Sequence, residues 1–357
     1  MKEILHLTTV HPGQDNRIFF KYLLGLQETG KYRLSFLCPG IGVPKSEDIN
    51  ISVLRTTGTS FISRIIRNIE AFLFCLKFKF KIIHFHDPEF LPFAIVLSLC
   101  GRTVIYDVHE DYIKAFELKK IITPFKACLV FLIRGMESYV DRYCHTVIAE
   151  KCYEYRFPNS IKVLNYFKDV DTSELYDDRY KFDTDNNLIY TGSISSERGA
   201  YEHVNLLECS SDINVYMIGK CTSELAEDLV RHAGKNSSRL HLVCDEVGIN
   251  FNDILKYYHN NKWLFGLALF PFSNHYYEKE LTKFFEYFYF DIAPLASDFP
   301  TWRALFAEAE FGYVLSHSSE FSDVLGMRVG SDKSFRKGHG FTWKSQLSNI
   351  MNLYDSI

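Results

Sequence analysis

Short apolar runs alternate with longer amphipathic stretches along the whole chain. In the first half, this pattern predicts strands at residues 4–9, 34–38, 82–85, 103–107, 146–149 and 162–164. In the second half, it predicts strands at residues 188–190, 215–218, 240–243, 264–270 and 292–296. Strands that alternate with helices are typical of parallel sheets wrapped by helices. The sequence therefore predicts an α/β protein with two Rossmann-like, doubly wound domains.

The predicted boundary between the domains is a polar, acidic stretch with strong turn signals, residues 168–187. We interpret its Asp-x-Asp triplets, 169–171 and 183–185, as solvated turns and not as a metal-held nucleotide site. The predicted domains are residues 1–167 and 188–335, and residues 336–357 are predicted to contain a further helix. That helix has an apolar stripe that requires a partner surface. A length of 357 residues also favours two cores over one.

Composition narrows the class of protein. A hydrophobic fraction of 47% excludes a disordered chain. The net charge of 40 − 44 = −4 offers no general attraction to nucleic acid. Nine cysteines lack metal-site spacing, and the first residues lack a secretory pattern, so we expect reduced thiols and a cytoplasmic location.

Two segments combine apolar and basic residues, at 61–83 and 118–134. Such segments can lie at an anionic membrane surface, with the apolar side chains inserted and the cations at the headgroups. Each segment alone is more typical of a helix packed on a sheet, with lysine stems that reach solvent. The presence of two in one half favours peripheral membrane contact.

The loop after the first predicted strand reads VHPGQDNRIFFK, residues 10–21. Pro12 and Gly13 allow a tight turn, and Asp15 and Arg17 lie near the start of the next helix. A capped helix start with an exposed arginine is the simpler alternative. No G-x-G-x-x-G spacing follows a strand, which argues against a nicotinamide or flavin enzyme.

Histidines and carboxylates follow the next two predicted strands, in HDPEF at residues 86–90 and VHEDY at residues 108–112. We expect His84 and His86 to point to opposite faces of their strand, which argues against a metal pair. His109 is the better candidate for chemistry, because an imidazole at a strand end can bond a sugar hydroxyl or transfer a proton. A structural histidine is the alternative.

In the second half, the loop YTGSISSERGA at residues 190–200 could hold a diphosphate through its amides and Arg198. An ordinary strand-to-helix turn explains it equally well. Further on, Glu278 and Glu286 flank Lys283 at a predicted helix start. Carboxylates bond sugar hydroxyls, whereas a lysine and a helix N-terminus attract phosphate. A solvated amphipathic helix is the alternative here.

Taken in order, these motifs resemble the bacterial retaining glycosyltransferases of family four, which have the GT-B fold. The resemblance covers nearly the whole chain, including HFHDPEFLPF, VIYDVHEDY and the E-x7-E segment followed by PLASDFPTWR. It implies two Rossmann-like domains facing across a cleft, and a last helix, near Trp343, that returns to the first domain. It also implies that the C-terminal domain holds most of the nucleotide-sugar and the N-terminal domain most of the acceptor.

The resemblance also implies roles for single residues. His109 and Glu278 correspond to catalytic positions beside the donor sugar. The positions that correspond to donor binding are Gly13, Gly192, Ser193, Arg198, Lys283 and Glu286. We add acceptor-side candidates on the first domain: Asp15, Arg17, His86 and Glu110. The chain departs from the family at Glu280 and Leu281, where relatives usually carry a small or polar residue and a proline.

The sequence thus predicts a metal-independent retaining glycosyltransferase without a cofactor, acting in bacterial surface polysaccharide synthesis. Its donor would be a nucleoside-diphosphate sugar, and its acceptor a glycan or polyprenyl-linked hydroxyl at the inner face of the cell membrane. Nucleic acid is not an expected partner. Two alternatives remain: a sugar-nucleotide epimerase of the same architecture, and a non-catalytic subunit that binds a glycan or nucleotide-sugar.

Overall fold

Two parallel sheets form the frame of the chain. The computed structural model describes residues 1–109, 123–184, 186–329 and 340–357. These residues divide into two units, of which the first contains Met1–Asn165 together with Trp343–Ile357 and the second contains Tyr166–Thr342. All strand pairings within the two sheets are parallel.

The first unit has seven strands among its described residues, in the order β3-β2-β1-β4-β5-β6-β7. Their bounds are β1 Lys2–Leu7, β2 Tyr32–Cys38, β3 Ile49–Val53, β4 Ile82–Phe85, β5 Thr103–Val108, β6 His145–Ile148 and β7 Ile161–Lys162. A π-helical segment, Asn16–Leu23, leads directly into the first helix. The helices are α1 Leu24–Glu28, α2 Phe61–Phe78, α3 Leu91–Leu99 and α4 Thr123–Tyr143.

The second unit repeats this plan with the order β10-β9-β8-β11-β12-β13. Its strands are β8 Asn187–Ser193, β9 Asn214–Lys220, β10 Leu240–Asp245, β11 Trp263–Ala268, β12 Ala293–Ser297 and β13 Tyr313–Leu315. Its helices are α5 Ala200–Cys209, α6 Ser223–Ala233, α7 Phe251–Asn260, α8 Asn274–Tyr277, α9 Thr282–Tyr289, α10 Pro300–Ala309 and α11 Phe321–Val329. The final helix of the chain, α12, is Trp343–Ser356.

The predicted fold class, α/β with two doubly wound sheets, is confirmed by these two strand orders. All eleven predicted strands overlap observed ones, and the sequence pattern missed β3 and β13. Both lie at a sheet edge, where one side of the strand is unpaired. Their side chains are mostly only partly buried, so neither gives a clear apolar run.

Alternation along the strands sorts the first sheet into two faces, because successive side chains point to opposite sides. Leu5 and Leu7 join the core formed with α2 and α3. Ile4 joins the opposite core, formed with the π-helical segment and α12. His6 alternates in step with Ile4, so it lies on the face that α12 covers.

The final helix packs within the first unit. Trp343 is buried against Tyr22 in an edge-to-face contact of 5.1 Å, and its indole nitrogen donates to the carbonyl of Lys21 at 2.9 Å. The Gln346 side chain accepts a hydrogen bond from the Leu164 amide at 2.8 Å. The apolar stripe on α12 is therefore covered by the first unit. Within the described residues, no helix has both the length and the apolar character that a bilayer span requires.

Candidate functional site

Each sheet has one point where the strand order reverses, between β1 and β4 in the first unit and between β8 and β11 in the second. In doubly wound proteins, ligands bind beside such a point, at the carboxyl ends of the strands. Most residues singled out from the sequence follow β1, β4, β5 or β8 directly. Each unit therefore has its own candidate half-site.

The loop after β1 has a tight fit at Gly13. The Gly13 amide donates to the carbonyl of Ile41 at 2.8 Å. A Cβ added at this position would lie 2.7 Å from the Gly42 carbonyl oxygen and 2.8 Å from Cδ of Pro44. Glycine is therefore required by the fold of the loop itself, apart from any contact with donor phosphate.

Asp15 begins the π-helical segment as its cap. Its Oδ1 accepts hydrogen bonds from the amides of Arg17 at 2.8 Å and Ile18 at 2.9 Å. The predicted capped start is present, but the arginine is not exposed as the simpler reading of this loop expected. The Arg17 side chain is only 4% exposed.

A buried carboxylate, Asp107 at the end of β5, is the centre of the first half-site. Arg17 grips it with two hydrogen bonds, Nε to Oδ2 at 2.9 Å and Nη2 to Oδ1 at 2.7 Å. Nδ1 of His86 lies 3.0 Å from Oδ2. Arg17 and His86, both acceptor-side candidates, are thus enclosed and bonded to one carboxylate.

The charge state of Asp107 follows from these neighbours. Burial alone would raise its pKa, but the positive charge and hydrogen bonds of Arg17 outweigh burial and hold the pKa well below its usual range. Burial lowers the pKa of His86 to about 3, even though Asp107 opposes the shift. Asp107 is therefore ionised and His86 is neutral at physiological pH.

His109, two residues beyond Asp107, lies at the edge of this cluster. Its Nδ1 is 3.6 Å from Oδ2 of Asp107, and its Nε2 is 3.0 Å from Nε2 of His11. Burial lowers the pKa of His109, but Asp107 outweighs burial, so the net shift is upward. His11 also approaches the buried Asp87, at 3.4 Å. These contacts give His109 a cationic tendency that an isolated histidine lacks.

The expectation that His84 and His86 point to opposite faces is wrong. Side chains two positions apart on a strand share a face, and the two rings stack with centroids 4.8 Å apart. Together with Asp107 they bring three potential metal-ligand atoms within 4.8 Å of one another. The guanidinium of Arg17 already bonds this carboxylate, however, and its charge opposes a cation there. We assign the group to a hydrogen-bond network and not to a metal centre.

In the second unit, glycines shape the tip of β8. Gly192 and Gly199 both adopt left-handed backbone conformations, with φ of 102° and 76°. A Cβ on Gly199 would lie 1.7 Å from the Leu269 carbonyl oxygen, and a Cβ on Gly219 would lie 2.0 Å from the Gly192 carbonyl oxygen. The backbone therefore packs too closely for a side chain at Gly199 and Gly219, whereas a Cβ at Gly192 would meet open space.

Charged residues from α9 meet the same strand end. Lys283 donates from Nζ to the carbonyl of Thr191 at 2.8 Å and lies 3.6 Å from the ring centroid of Tyr190. Oε2 of Glu286, one helical turn later, accepts from the Tyr258 hydroxyl at 3.0 Å. That hydroxyl is also 2.5 Å from Oγ1 of Thr191.

Arg198 completes this half-site from the short turn Ser196–Arg198 that precedes α5. Its Nε donates to the Tyr276 hydroxyl at 3.2 Å. Burial lowers the pKa of Lys283 well below its usual value, Glu286 opposes this, and the charge of Arg198 adds to the lowering. Ser193 accepts from the Tyr190 hydroxyl through its backbone carbonyl at 2.7 Å. An arginine, a lysine and a glutamate thus gather beside the Gly192 loop.

The remaining candidates lie apart from these clusters or outside the described residues. Glu278 is exposed and directly follows α8. The indole of Trp302 anchors the adjacent segment by donating to the Lys279 carbonyl at 2.7 Å. Glu110 and Asp185 are outside the described residues.

Sequence reasoning missed the residues that connect the candidates. The predicted strand 103–107 ends at Asp107, and a carboxylate within an apolar strand is costly to bury without a partner. This cost indicates that Asp107 needs a buried cationic or hydrogen-bonding partner. Thr191 and Tyr258 gave no comparable signal, because a hydroxyl in a strand or helix is common.

Comparisons with known proteins give matches at the level of fold. No protein-family model matches the chain, and no curated protein sequence matches it significantly. Sucrose-phosphate synthase from Thermosynechococcus elongatus matches with a TM-score of 0.68 at 11% identity, over 100% of this chain and 99% of that one. The Anabaena protein HepE, solved in complex with UDP and glucose, matches with a TM-score of 0.62 at 10% identity, over 100% of both chains.

The chain adopts the GT-B fold. The fold expected from the resemblance is therefore confirmed. The GT-B match extends beyond transferases, because a UDP-N-acetylglucosamine 2-epimerase from Listeria monocytogenes matches with a TM-score of 0.57 at 11% identity, over 100% of this chain and 98% of that one. Matches at such low sequence identity establish the GT-B architecture only. The activity has to be argued from the residues of the site.

Proposed function

We propose that the protein is a retaining glycosyltransferase of family four that moves a sugar from a nucleoside-diphosphate donor to an acceptor hydroxyl. The observation that carries this proposal is the group around the end of β8. There, Arg198 and Lys283 lie beside the glycine loop, and Glu286 is held by Tyr258. Cations suit a diphosphate, and a carboxylate suits ribose hydroxyls.

The proposed chemistry separates charge between the two products. As the glycosidic bond to the diphosphate breaks, negative charge grows on the leaving phosphate, and fixed cations stabilise it most when they are placed in advance. Arg198 and Lys283 take this role, and no divalent ion is needed for it. In a front-face displacement, the leaving phosphate oxygen accepts the proton of the acceptor hydroxyl, so no protein nucleophile is assigned.

An activity assay with a panel of nucleoside-diphosphate sugars tests the proposal. Arg198→Ala is expected to lower kcat by about a hundredfold, the scale for loss of one charge-stabilising donor. Arg179→Ala is the matched control, because Arg179 is an exposed arginine of the same unit paired with Asp177. Full activity of Arg198→Ala with the correct donor would show that the phosphate assignment is wrong.

A sugar-nucleotide epimerase is the second candidate, favoured by the fold match to an enzyme of that class. The two activities separate when the protein is incubated with a donor and no acceptor. An epimerase yields a new nucleotide-sugar under these conditions, whereas a transferase requires the acceptor before it forms product. Release of nucleoside diphosphate only on addition of an acceptor supports transfer.

We further propose that the acceptor is a glycan or polyprenyl-linked sugar at the inner membrane face, in surface polysaccharide synthesis. Support comes from α2, which carries many apolar side chains on its outer face. Its inner face is buried and includes Ala71 and Cys75 of the core together with Arg67 and Asn68. Its outer face exposes a continuous apolar stripe: Phe61, Ile62, Ile65, Ile66, Ile69, Leu73 and Leu76.

The position of α2 connects this surface to the first half-site. Asn68 accepts a hydrogen bond from the Thr9 hydroxyl at 3.3 Å. The amide of Thr9 in turn donates to Asp87 at 2.6 Å, beside His11. The inner face of α2 thus contacts the loop that follows β1, and a membrane surface at the outer face would lie about 10 Å from this loop, the diameter of one helix.

A further inference from the structure

We propose that Asp107 is the positioning residue for His109, and that the same carboxylate directs a buried one-way hydrogen-bond chain that ends at His84 and passes through Tyr354 of the final helix. The role for His109 rests on the proposed transferase function. The chain itself rests on five buried groups and four distances, and it can be tested without any activity assay.

The direction of the chain is fixed at its Asp107 end. An ionised carboxylate can only accept hydrogen bonds, so His86 must donate from Nδ1 across the 3.0 Å contact. A neutral imidazole with its proton on Nδ1 has an accepting Nε2. That nitrogen lies 3.1 Å from Nδ1 of His6, so His6 must carry its own proton on Nδ1.

The same logic continues to the final helix. The Nε2 atom of His6 is left as an acceptor, and the Tyr354 hydroxyl, 3.1 Å away, must donate to it. The tyrosine oxygen can then accept from Nδ1 of His84 at 2.6 Å. His84 therefore also carries its proton on Nδ1, and its buried Nε2 has no hydrogen-bond partner among the described residues.

All three histidines must be neutral for this reasoning to hold, and their surroundings agree. Burial is the largest influence on each and lowers the pKa of His6, His84 and His86 below the ordinary value. One carboxylate thus determines which nitrogen is protonated in three imidazoles. Two of these imidazoles do not touch it.

Asp107 also faces His109, the candidate beside the donor sugar. With Oδ2 of Asp107 at 3.6 Å from Nδ1 of His109, the proton of a neutral His109 belongs on Nδ1. The Nε2 atom is then the one that faces His11 and the loop after β1. Arg17 and His86 also bond Oδ2 of this carboxylate, so the position of the carboxylate is fixed.

The first experiment records nitrogen-15 NMR spectra of the imidazoles in the wild-type full-length chain. We expect His6, His84 and His86 to carry the proton on Nδ1, and His109 to do so in its neutral form. A proton on Nε2 of His6 or His86 would overturn the chain. A neutral His109 with its proton on Nε2 would overturn the role of Asp107.

The second experiment cuts the chain with Tyr354→Phe. Because the direction is set at Asp107, His6 and His86 are expected to keep their tautomers, whereas His84 loses its acceptor and gains protonation on Nε2. Tyr32→Phe is the matched control, because the Tyr32 hydroxyl bonds Asp355 of the same helix at 2.8 Å and lies outside the chain. Unchanged His84 signals in Tyr354→Phe would contradict the assignment.

The third experiment separates a positioning role from a purely structural one. Asp107→Asn removes the negative charge beside His109 and is expected to lower kcat by about tenfold, a rise of about 1.4 kcal/mol in the barrier, with the KM for the donor unchanged. Asp141→Asn replaces another buried carboxylate of the first unit and should leave kcat unchanged. An equal kcat for wild-type and Asp107→Asn would refute the positioning role of Asp107. If neither wild-type nor any variant shows transfer, the tautomer of His109 measured by NMR decides whether Asp107 has that role.

Discussion

At the scale of single residues, backbone geometry and buried charge account for the candidate site better than side-chain type alone. Gly13, Gly192 and Gly199 all lie in loops that are predicted to approach phosphate, and Gly13 and Gly192 are predicted donor-binding residues. For two of them, the structure shows a second requirement, because an added Cβ at Gly13 or Gly199 meets backbone oxygen. A glycine in a binding motif can thus be required by the loop that presents the motif.

Gly199→Ala is predicted to destabilise the second unit by about 3 kcal/mol. About 1–2 kcal/mol comes from the left-handed backbone, and the rest from the contact with the Leu269 carbonyl. Gly101→Ala is the control, because Gly101 has a similar positive φ, 78°, but has open space around it. Equal losses in urea unfolding for both variants would show that the contact relaxes freely.

Single residues also mark the limit of what the sequence could predict. Arg198, Lys283 and Glu286 were chosen from spacing, and the structure brings them to one strand end. Their roles in donor binding remain predictions. The bond between Arg17 and Asp107 spans ninety positions, and no local pattern contains it. Burial of Arg17 follows from that pairing, which is why an exposed arginine was the simpler expectation.

At the scale of elements, periodicity predicted the buried strands well and the partners of the helices poorly. The run at 82–85 coincides with β4, whereas the edge strands β3 and β13 were missed. For α2, an amphipathic pattern was clear, but pattern alone does not say which face turns inward. In this helix the inner face holds Arg67 and Asn68, and the outer face is apolar.

The exposed apolar face of α2 and the lysines near its end lead to a prediction about membrane binding. The triple charge reversal Lys77→Glu, Lys79→Glu and Lys81→Glu is expected to weaken binding to vesicles containing anionic lipid, by about 1 kcal/mol for each lysine at the surface. Sedimentation with vesicles at several salt concentrations measures it. The control reverses three exposed lysines of the second unit, for the same change in net charge: Lys181, Lys235 and Lys262.

Apolar contact is tested separately with Ile62→Ser and Leu73→Ser, which keep the charge. Both side chains are more than half exposed, so the fold should tolerate the change. Vesicle binding that is unaffected by the charge reversals and by these two variants would rule out α2 as the membrane surface.

At the scale of the whole molecule, buried neutral histidines link stability to pH. His6, His84 and His86 in the first unit and His203 in the second all have a pKa lowered by burial. In the unfolded chain they bind protons below about pH 6.5. The unfolded state therefore takes up more protons than the folded state as the pH falls below that value, and stability is lost.

We predict that the free energy of unfolding falls as the pH is lowered from 6.5 to 5. Each such histidine contributes about 1.4 kcal/mol per pH unit once the pH is well below 6.5. His109 acts in the opposite direction, because its pKa is raised and its contribution is lost only as pH increases. Urea unfolding at pH 7.5, 6.0 and 5.0 measures the balance, and a constant free energy over this range would contradict the burial of neutral histidines.

The path of the chain between the two units affects the order in which they are made. The first unit contains Met1–Asn165 and also the last fifteen residues, Trp343–Ile357, whereas the second is one continuous segment. On the ribosome, every residue of the second unit emerges before Trp343 and Tyr354 do. The second unit can therefore be complete first, and the first unit must wait for the synthesis of Trp343–Ile357 before its core and its histidine chain can close.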